Sequence, residues 1–387
     1  MAPHSALDSI ELGPSARILV VRVGDMGDAL LATPMLRALR QRYPAARIDL
    51  LTTANAATLL AECPLVDSLY TLPRQINEQG VSLDGLASLG RGALLVAGLR
   101  ANRYHAVIFA NHLTLPSGRR WRRALAATLG APLTVGLDNG YGSFLRLRVP
   151  DDGFGAAHEV EYALALAARL DGILPDAERA PRLADLGWGD IRPATLAHGH
   201  PPHVALHPGS GAYSLARRWP SARYVELARA LRDEFNAHVT LVGGPEERYL
   251  AASIITALGE PAWATNAVGA TSPRRLAETL ASAQLFIGND SLPMHVAAAA
   301  GVPVIAIFGP SNARAWGPYA PGRRERVAVI RRADLPCSPC IYRGHALGTP
   351  QGCPPRPCLT ELAIAPALVA ARRLLRPARP AEAATRA

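Results

Sequence analysis

Short apolar runs alternate with helix-forming segments along this chain. The alternation stops at a Pro-, Gly- and Asp-rich stretch and then starts again. Arg17–Val23 reads as a strand, followed by a helix over Ala29–Arg42, strands at Ile48–Thr52, Ser68–Leu72, Ala106–Ala110 and Thr134–Gly136, and a helix at His158–Leu170. Beyond Asp171–Pro202 come a strand at Val204–His207, a helix at Ser221–Phe235, a strand at Val239–Val242, and helices at Glu246–Leu258 and Arg274–Ala281. Leu285–Asn312 then reads strand, turn, helix, turn, strand, and Thr360–Arg376 reads as a helical tail. Parallel strands need crossovers and helices supply them, so this alternation dictates an α/β fold with parallel sheets. Two such runs predict two Rossmann-like, doubly wound domains facing across a cleft. The expected divisions are a flexible N-terminus (residues 1–16), a first domain (17–180), a linker (181–202), a second domain (203–362) and a C-terminal helix and tail (363–387).

The first sixteen residues hold neither a basic n-region nor an apolar core. Apolar runs such as Val302–Phe308 are too short to span a bilayer, so a cytoplasmic protein without signal peptide or membrane anchor is expected. A net charge of +10 calls for an anionic partner: nucleic acid, an anionic membrane surface or a phosphorylated substrate. No basic tail, zinc-finger or helix-turn-helix signature accompanies the charge, which argues against nucleic acid. Arg119, Arg120, Arg122 and Arg123 surround Trp121 near a helix start. They read either as a solvated face or as a dock for anionic lipid or a phosphorylated acceptor.

Four loops carry the polar chemistry. In Arg22–Leu39, Gly24 and Gly27 permit close backbone approach and Asp28 opens a helix; it reads as an N-cap or as a general base at a strand's carboxyl end, where α/β sheets place ligands. The glycines do not form G-x-G-x-x-G, so no dinucleotide fingerprint is present. In Leu206–Pro220, Gly209, Ser210, Gly211 and Ser214 offer donors and Arg217 and Arg218 offer guanidinium forks for phosphate. In Leu241–Leu250, Glu246 and Glu247 begin a helix as dipole partners or as ribose ligands. In Leu285–Asn312, Asp290 and Ser291 precede a helix whose N-terminus is a ready anion site, with His295 in its first turn.

Taken together, these motifs resemble glycosyltransferase family 9, the ADP-heptose:lipopolysaccharide heptosyltransferases. The resemblance runs from Arg17 to Glu361: Gly27–Arg40 is similar to the family's N-terminal motif, HPGSGAYSLARRWP to its phosphate loop, and NDSLPMHVAAAAGVPVIAIFGPSN to its C-terminal signature. It implies a GT-B architecture with acceptor on the first domain and nucleotide-sugar on the second, and an inverting reaction that requires no metal or other cofactor. By position, Asp28 would be the catalytic base. Arg217 would replace the family's diphosphate-binding Lys, and the backbone around Ser291, Leu292 and Met294, with His295, would hold the diphosphate. Glu246 or Glu247 would approach the adenosine ribose. Leu292 stands where the family has Gly. The implied partners are the nucleotide-sugar donor and an anionic glycolipid acceptor at the inner-membrane surface, approached peripherally. Another nucleotide-sugar donor, or a nucleotide-binding protein with a silent catalytic loop, are the alternatives.

Cys337, Cys340, Cys353 and Cys358 cluster late in the chain, with His345 among them. The spacing allows a structural zinc or iron site or a loop of reduced thiols, and lone Cys63 reads as buried packing.

Overall fold

The computed structural model describes residues 10–72, 76–77, 80–81, 86–196 and 199–375. The start of the expected flexible N-terminus, the end of the C-terminal tail and parts of the loop 74–100 lie outside the described residues.

The first half runs β1 (Arg17–Val21), α1 (Met26–Arg42), β2 (Arg47–Thr52), α2 (Ala54–Leu59), β3 (Ser68–Thr71), α3 (Leu86–Ala101), β4 (Ala106–Phe109), α4 (Pro116–Leu129), β5 (Leu133–Asp138), β6 (Leu147–Pro150) and α5 (Glu159–Ala168). The second runs β7 (His203–His207), α6 (Ser221–Phe235), β8 (His238–Leu241), α7 (Arg248–Leu258), β9 (Ala264–Asn266), α8 (Pro273–Ala281), β10 (Leu285–Asn289), α9 (Leu292–Ala299), β11 (Val304–Ile307), α10 (Ala313–Trp316), β12 (Val327–Ile330), α11 (Pro357–Thr360) and α12 (Ala365–Leu374).

Each half holds a six-stranded parallel sheet, ordered β3-β2-β1-β4-β5-β6 in the first and β9-β8-β7-β10-β11-β12 in the second. The order is the same in both, and in both it reverses between the first strand and the fourth. Central β1 sets Val20 opposite Leu50 on one side and Ile108 on the other. Helices cover both faces of such a sheet, which is why its central strands are continuous apolar runs. In an open α/β sheet the reversal leaves a crevice beyond the carboxyl ends of the strands, where ligands bind. The architecture is GT-B: two Rossmann-like domains facing across a cleft.

The halves also share an apolar core. Leu30, Met35 and Leu36 of α1 belong to the same buried cluster as Leu276 and Leu280 of α8 and Met294 and Val296 of α9. The connecting segment is stapled to α1 by buried Asp185, which takes Arg37 and, at 3.1 Å, the Thr33 hydroxyl. Among the described residues no helix is long and apolar enough to cross a membrane.

Four expectations change. Helix α1 begins at Met26, three residues before the expected Ala29, because Asp25 caps it. Strands β6, β9 and β12 were not expected, and each lies at a sheet edge. The expected helix over Glu246–Leu258 opens with a 3-10 turn, Pro245–Glu247, before α7. The tail is two helices rather than one.

Candidate active site

Side chains leaving the carboxyl ends of β1 and β4, the strands flanking the first reversal, meet in one buried network. Arg22 follows β1 directly. Its Nη2 lies 2.9 Å from Asp28 Oδ1 and 3.3 Å from Glu159 Oε2, and its Nη1 donates to the Ala110 carbonyl. Asp28 is at the third position of α1, where Oδ2 accepts the Asp25 N–H at 3.0 Å. The N-cap is therefore Asp25, and Asp28 is the return half of a capping box. A methyl group on Gly24 would stand 2.6 Å from Asp28 Oδ2, so the loop needs glycine there. Trp316, from the other half, donates its indole N–H to Asp28 Oδ1 at 3.4 Å. A carboxylate offers about four lone-pair sites. With 23% of its side chain exposed, Asp28 still opens onto a cleft of about 410 Å³, mouth included, walled by Arg22, His112, Arg122, Glu159 and Trp316.

His112 sits behind this layer with a carboxylate on each ring nitrogen: Glu159 Oε1 at 2.8 Å from Nε2 and Asp151 Oδ1 at 2.9 Å from Nδ1. Burial works against its charge, but the two carboxylates prevail and hold its pKa up at about 9. Burial likewise opposes the Glu159 anion, and His112 and Arg22 outweigh it, bringing Glu159 down to about 2.

At the second reversal, between β7 and β10, polar groups hold a glycine loop. Glu247 is buried, and its carboxylate accepts from Gly211 N at 2.9 Å, Gly244 N at 3.1 Å and His207 Nε2 at 3.0 Å. Burial opposes its charge, but these partners bring its pKa to about 2. A methyl group on Gly209 would fall 1.8 Å from Glu247 Oε1. Asn289 stitches the loop from the other strand: its Nδ2 donates to the carbonyls of Pro208 and Gly209, both at 2.9 Å, and its Oδ1 accepts the Trp219 N–H at 3.1 Å. Arg217 Nη1 lies 3.3 Å from Asp290 Oδ2, and its Nη2 donates to the Ser210 carbonyl at 2.9 Å. His295 is buried in the first turn of α9, its Nδ1 without a hydrogen-bond partner among the described residues. Burial holds it below the ordinary imidazole range. A methyl group on Gly27 would lie 3.4 Å from the His295 ring, so α9 begins beside the start of α1, where Asp28 stands.

The two sites are held together by the cleft's other wall. His158 Nε2 donates to the Gly317 carbonyl at 2.9 Å and Asn312 Nδ2 to the Phe154 carbonyl at 3.0 Å. The rings of Phe154, Trp316 and Tyr342 pack with centroids 4.2 to 5.2 Å apart.

A family model described as glycosyltransferase family 9 (heptosyltransferase) matches residues 94–349. The chain belongs to glycosyltransferase family 9. Lipopolysaccharide heptosyltransferase 2 of Escherichia coli (strain K12) is 28% identical to it over 330 residues, spanning 81% of this chain and 88% of that protein. Lipopolysaccharide heptosyltransferase 3 of the same strain is 30% identical over 304 residues, 76% of this chain and 82% of that one. The solved structure of E. coli ADP-heptose lps heptosyltransferase II shares the fold, with a TM-score of 0.62 at 24% identity, covering 93% of this chain and 98% of that one.

The structure sorts the residues singled out in this family 9 glycosyltransferase. Asp28, Arg217, Asp290, Ser291 and His295 converge on the two reversals. Glu247 has its carboxylate committed inside the protein, which leaves exposed Glu246 as the available acid of that pair. The Ser210 hydroxyl donates to the Ser214 carbonyl at 2.8 Å, so that proton serves the loop itself. The α9 donors contract, because Pro293 has no N–H and Met294 N donates to the Ser291 carbonyl at 3.1 Å; Ser291 and Leu292 remain. Met294 is buried in the core, and half-buried Leu292 packs against it.

The basic cluster divides. Arg122 is buried and walls the cleft, whereas Arg119 donates to the carbonyls of Leu113 and Thr114 at 2.7 and 2.6 Å, bracing its own turn. Arg120 and Arg123 are exposed. The four late cysteines lie close enough for their thiols to act on one another. Among the described residues no group of three or more His, Cys, Asp or Glu is arranged to hold a metal ion. Cys337, Cys340 and Cys353 are exposed free thiols, Cys358 is a buried one, and His345 turns away to the Asp151 carbonyl at 2.8 Å. Burial foremost, then the neighbouring thiols, push Cys358 up to about 11.

Arg22, His112, Asp151, Glu159 and Trp316 were not singled out in the sequence, and Asn289 reads there only as a turn residue. Only Arg22, adjoining the glycine loop at a strand end, carried a signal that could have found it.

Proposed function

We propose that this glycosyltransferase moves heptose from ADP-heptose to the lipopolysaccharide inner core or a related anionic glycolipid, with inversion and without a metal. In this reading Asp28 takes the proton from the acceptor hydroxyl as its oxygen attacks the anomeric carbon. The bond from that carbon to the diphosphate breaks on the opposite side, and ADP leaves. Arg217 and the α9 N-terminus at Ser291 and Leu292 receive the charge that develops on the diphosphate. Glu246 approaches the ribose, and Arg122 meets an anionic group of the acceptor. Exposed Arg120 and Arg123 favour peripheral docking on anionic lipid.

The observation that supports this most is the convergence of the two reversals: the carboxylate at one lies beside the first turn of the helix that begins at the other. The test is incubation with ADP-heptose and a heptose-deficient core acceptor, with EDTA present and the product's anomeric configuration read by NMR. EDTA-resistant transfer with inversion supports the reading. Retained configuration or dependence on added metal overturns the mechanism. Preferential turnover of a UDP- or GDP-sugar moves the donor assignment, and a nucleotide-induced thermal shift without turnover of any donor points to a binding protein.

A further inference from the structure

The buried charges behind Asp28 form an alternating series, Asp28–Arg22–Glu159–His112–Asp151, drawn from three separate stretches of the chain. The contacts are 2.9, 3.3, 2.8 and 2.9 Å in that order. We propose that His112 and Glu159 are positioning residues, which set how much of the Arg22 charge falls on Asp28 and thereby how strong a base Asp28 is. The proposal rests on the reading of Asp28 as the base.

An arginine paired with one carboxylate stabilises the anion and weakens it as a proton acceptor. Here a single guanidinium nitrogen, Nη2, is shared by two carboxylates, so Glu159 draws off part of the field that would otherwise rest on Asp28. Glu159 in turn does not take Arg22 outright, because its other oxygen faces His112. A neutral imidazole has one donor and one acceptor nitrogen, and a lone pair turned to a carboxylate would be repelled. His112 Nε2 hydrogen-bonds Glu159, and Nδ1 lies 2.9 Å from Asp151 Oδ1 without a hydrogen bond to it, so two anions stand against the ring and favour the imidazolium. Other groups face the series, among them the buried Arg122 guanidinium, which walls the same cleft. Asp28 also meets the Asp25 N–H, the Trp316 indole and the field of His295. Glu159 also feels His158, while Asp151 feels His345 and accepts the Gly153 N–H. The rings of Phe154 and Tyr162 flank His112 at 4.5 and 4.9 Å and keep water from it.

The experiment is the pH dependence of kcat/KM for Glu159→Gln and His112→Asn against the wild type, with ADP-heptose and the heptose-deficient acceptor. Glu159→Gln returns Arg22 to Asp28 and should carry the acidic limb to lower pH by roughly one unit, with kcat lowered about tenfold. His112→Asn lets Glu159 take a larger share of Arg22 and should carry the limb to higher pH. Limbs unmoved in both variants, or moved in the same direction, overturn the proposal, since a purely structural role lowers activity without opposite shifts. If either variant fails to fold, the wild type still decides by its imidazole nitrogen spectrum at pH 8. A doubly protonated His112 supports the proposal and a neutral ring overturns it. Asp28→Asn, run in parallel, separates the two claims: full activity there refutes the base itself, whatever the limbs do.

Discussion

The two sheets have one topology and put it to opposite uses. At the reversal in the first, the polar groups are carboxylates and their counter-ions, layered inward from Asp28 to Asp151. At the reversal in the second, the deeply buried Glu247 accepts from several partners and is spent on holding a glycine loop, and near it stand Arg217, backbone N–H groups and the buried His295. In the proposed reading, one reversal accepts a proton and the other receives an anion. The fold supplies the crevice twice; the residues just past the strand ends decide what each crevice does.

The comparison can be broken most severely at the buried acids. Glu247→Ala leaves His207 and two backbone N–H groups without their acceptor, and should cost about 3–5 kcal/mol and with it the nucleotide site, read as a fall in Tm together with lost ADP binding. Exposed Glu246→Ala should leave Tm in place and raise the donor KM only a few-fold. If Glu247→Ala is as mild as Glu246→Ala, the glycine loop is not held as described.

The first reversal should show in the pH dependence of stability. His112 binds its proton more tightly in the folded protein, at about 9 against an ordinary 6.5. The folded state therefore holds the extra proton between those values. The contribution, up to about 3 kcal/mol, is fully present below pH 6.5 and is lost as pH rises through 9. Melting curves from pH 6.5 to 9.5 should fall more steeply for the wild type than for His112→Asn; parallel curves would contradict the doubly paired imidazolium.

A smaller effect should follow from Arg217. Arg217→Ala is expected to lower kcat/KM about a hundredfold, through both donor affinity and the chemical step, while Arg217→Lys keeps most of the activity because it keeps the charge. Loss confined to acceptor KM would place Arg217 on the wrong side of the cleft.

Much of this was legible in the sequence. Central strands such as Val204–His207 and Val304–Ile307 are continuous apolar runs, because both their faces are covered. The three strands that were missed, Leu147–Pro150, Ala264–Asn266 and Val327–Ile330, lie at sheet edges; the first two carry no such run, whereas Val327–Ile330 is apolar throughout and was overlooked. The start of α1 was misplaced because its capping box closes with Asp28 where Glu or Gln is the familiar sign. Asp28, Arg217, Asp290 and His295 could be singled out because each sits in a glycine-rich loop or first helical turn. The layer behind Asp28 was hidden for a different reason: His112 and Glu159 are 47 residues apart and are brought together only when α5 packs against α1, β5 and β6.

The claim that one crevice accepts the proton and the other holds the anion is tested most directly by measuring ADP affinity and single-turnover rate together in Asp28→Asn. The account predicts an ADP Kd within about twofold of the wild type and a transfer rate lower by about a thousandfold, within the range a general base supplies. A retained transfer rate, or ADP affinity lost in step with it, would contradict the division of labour between the two reversals.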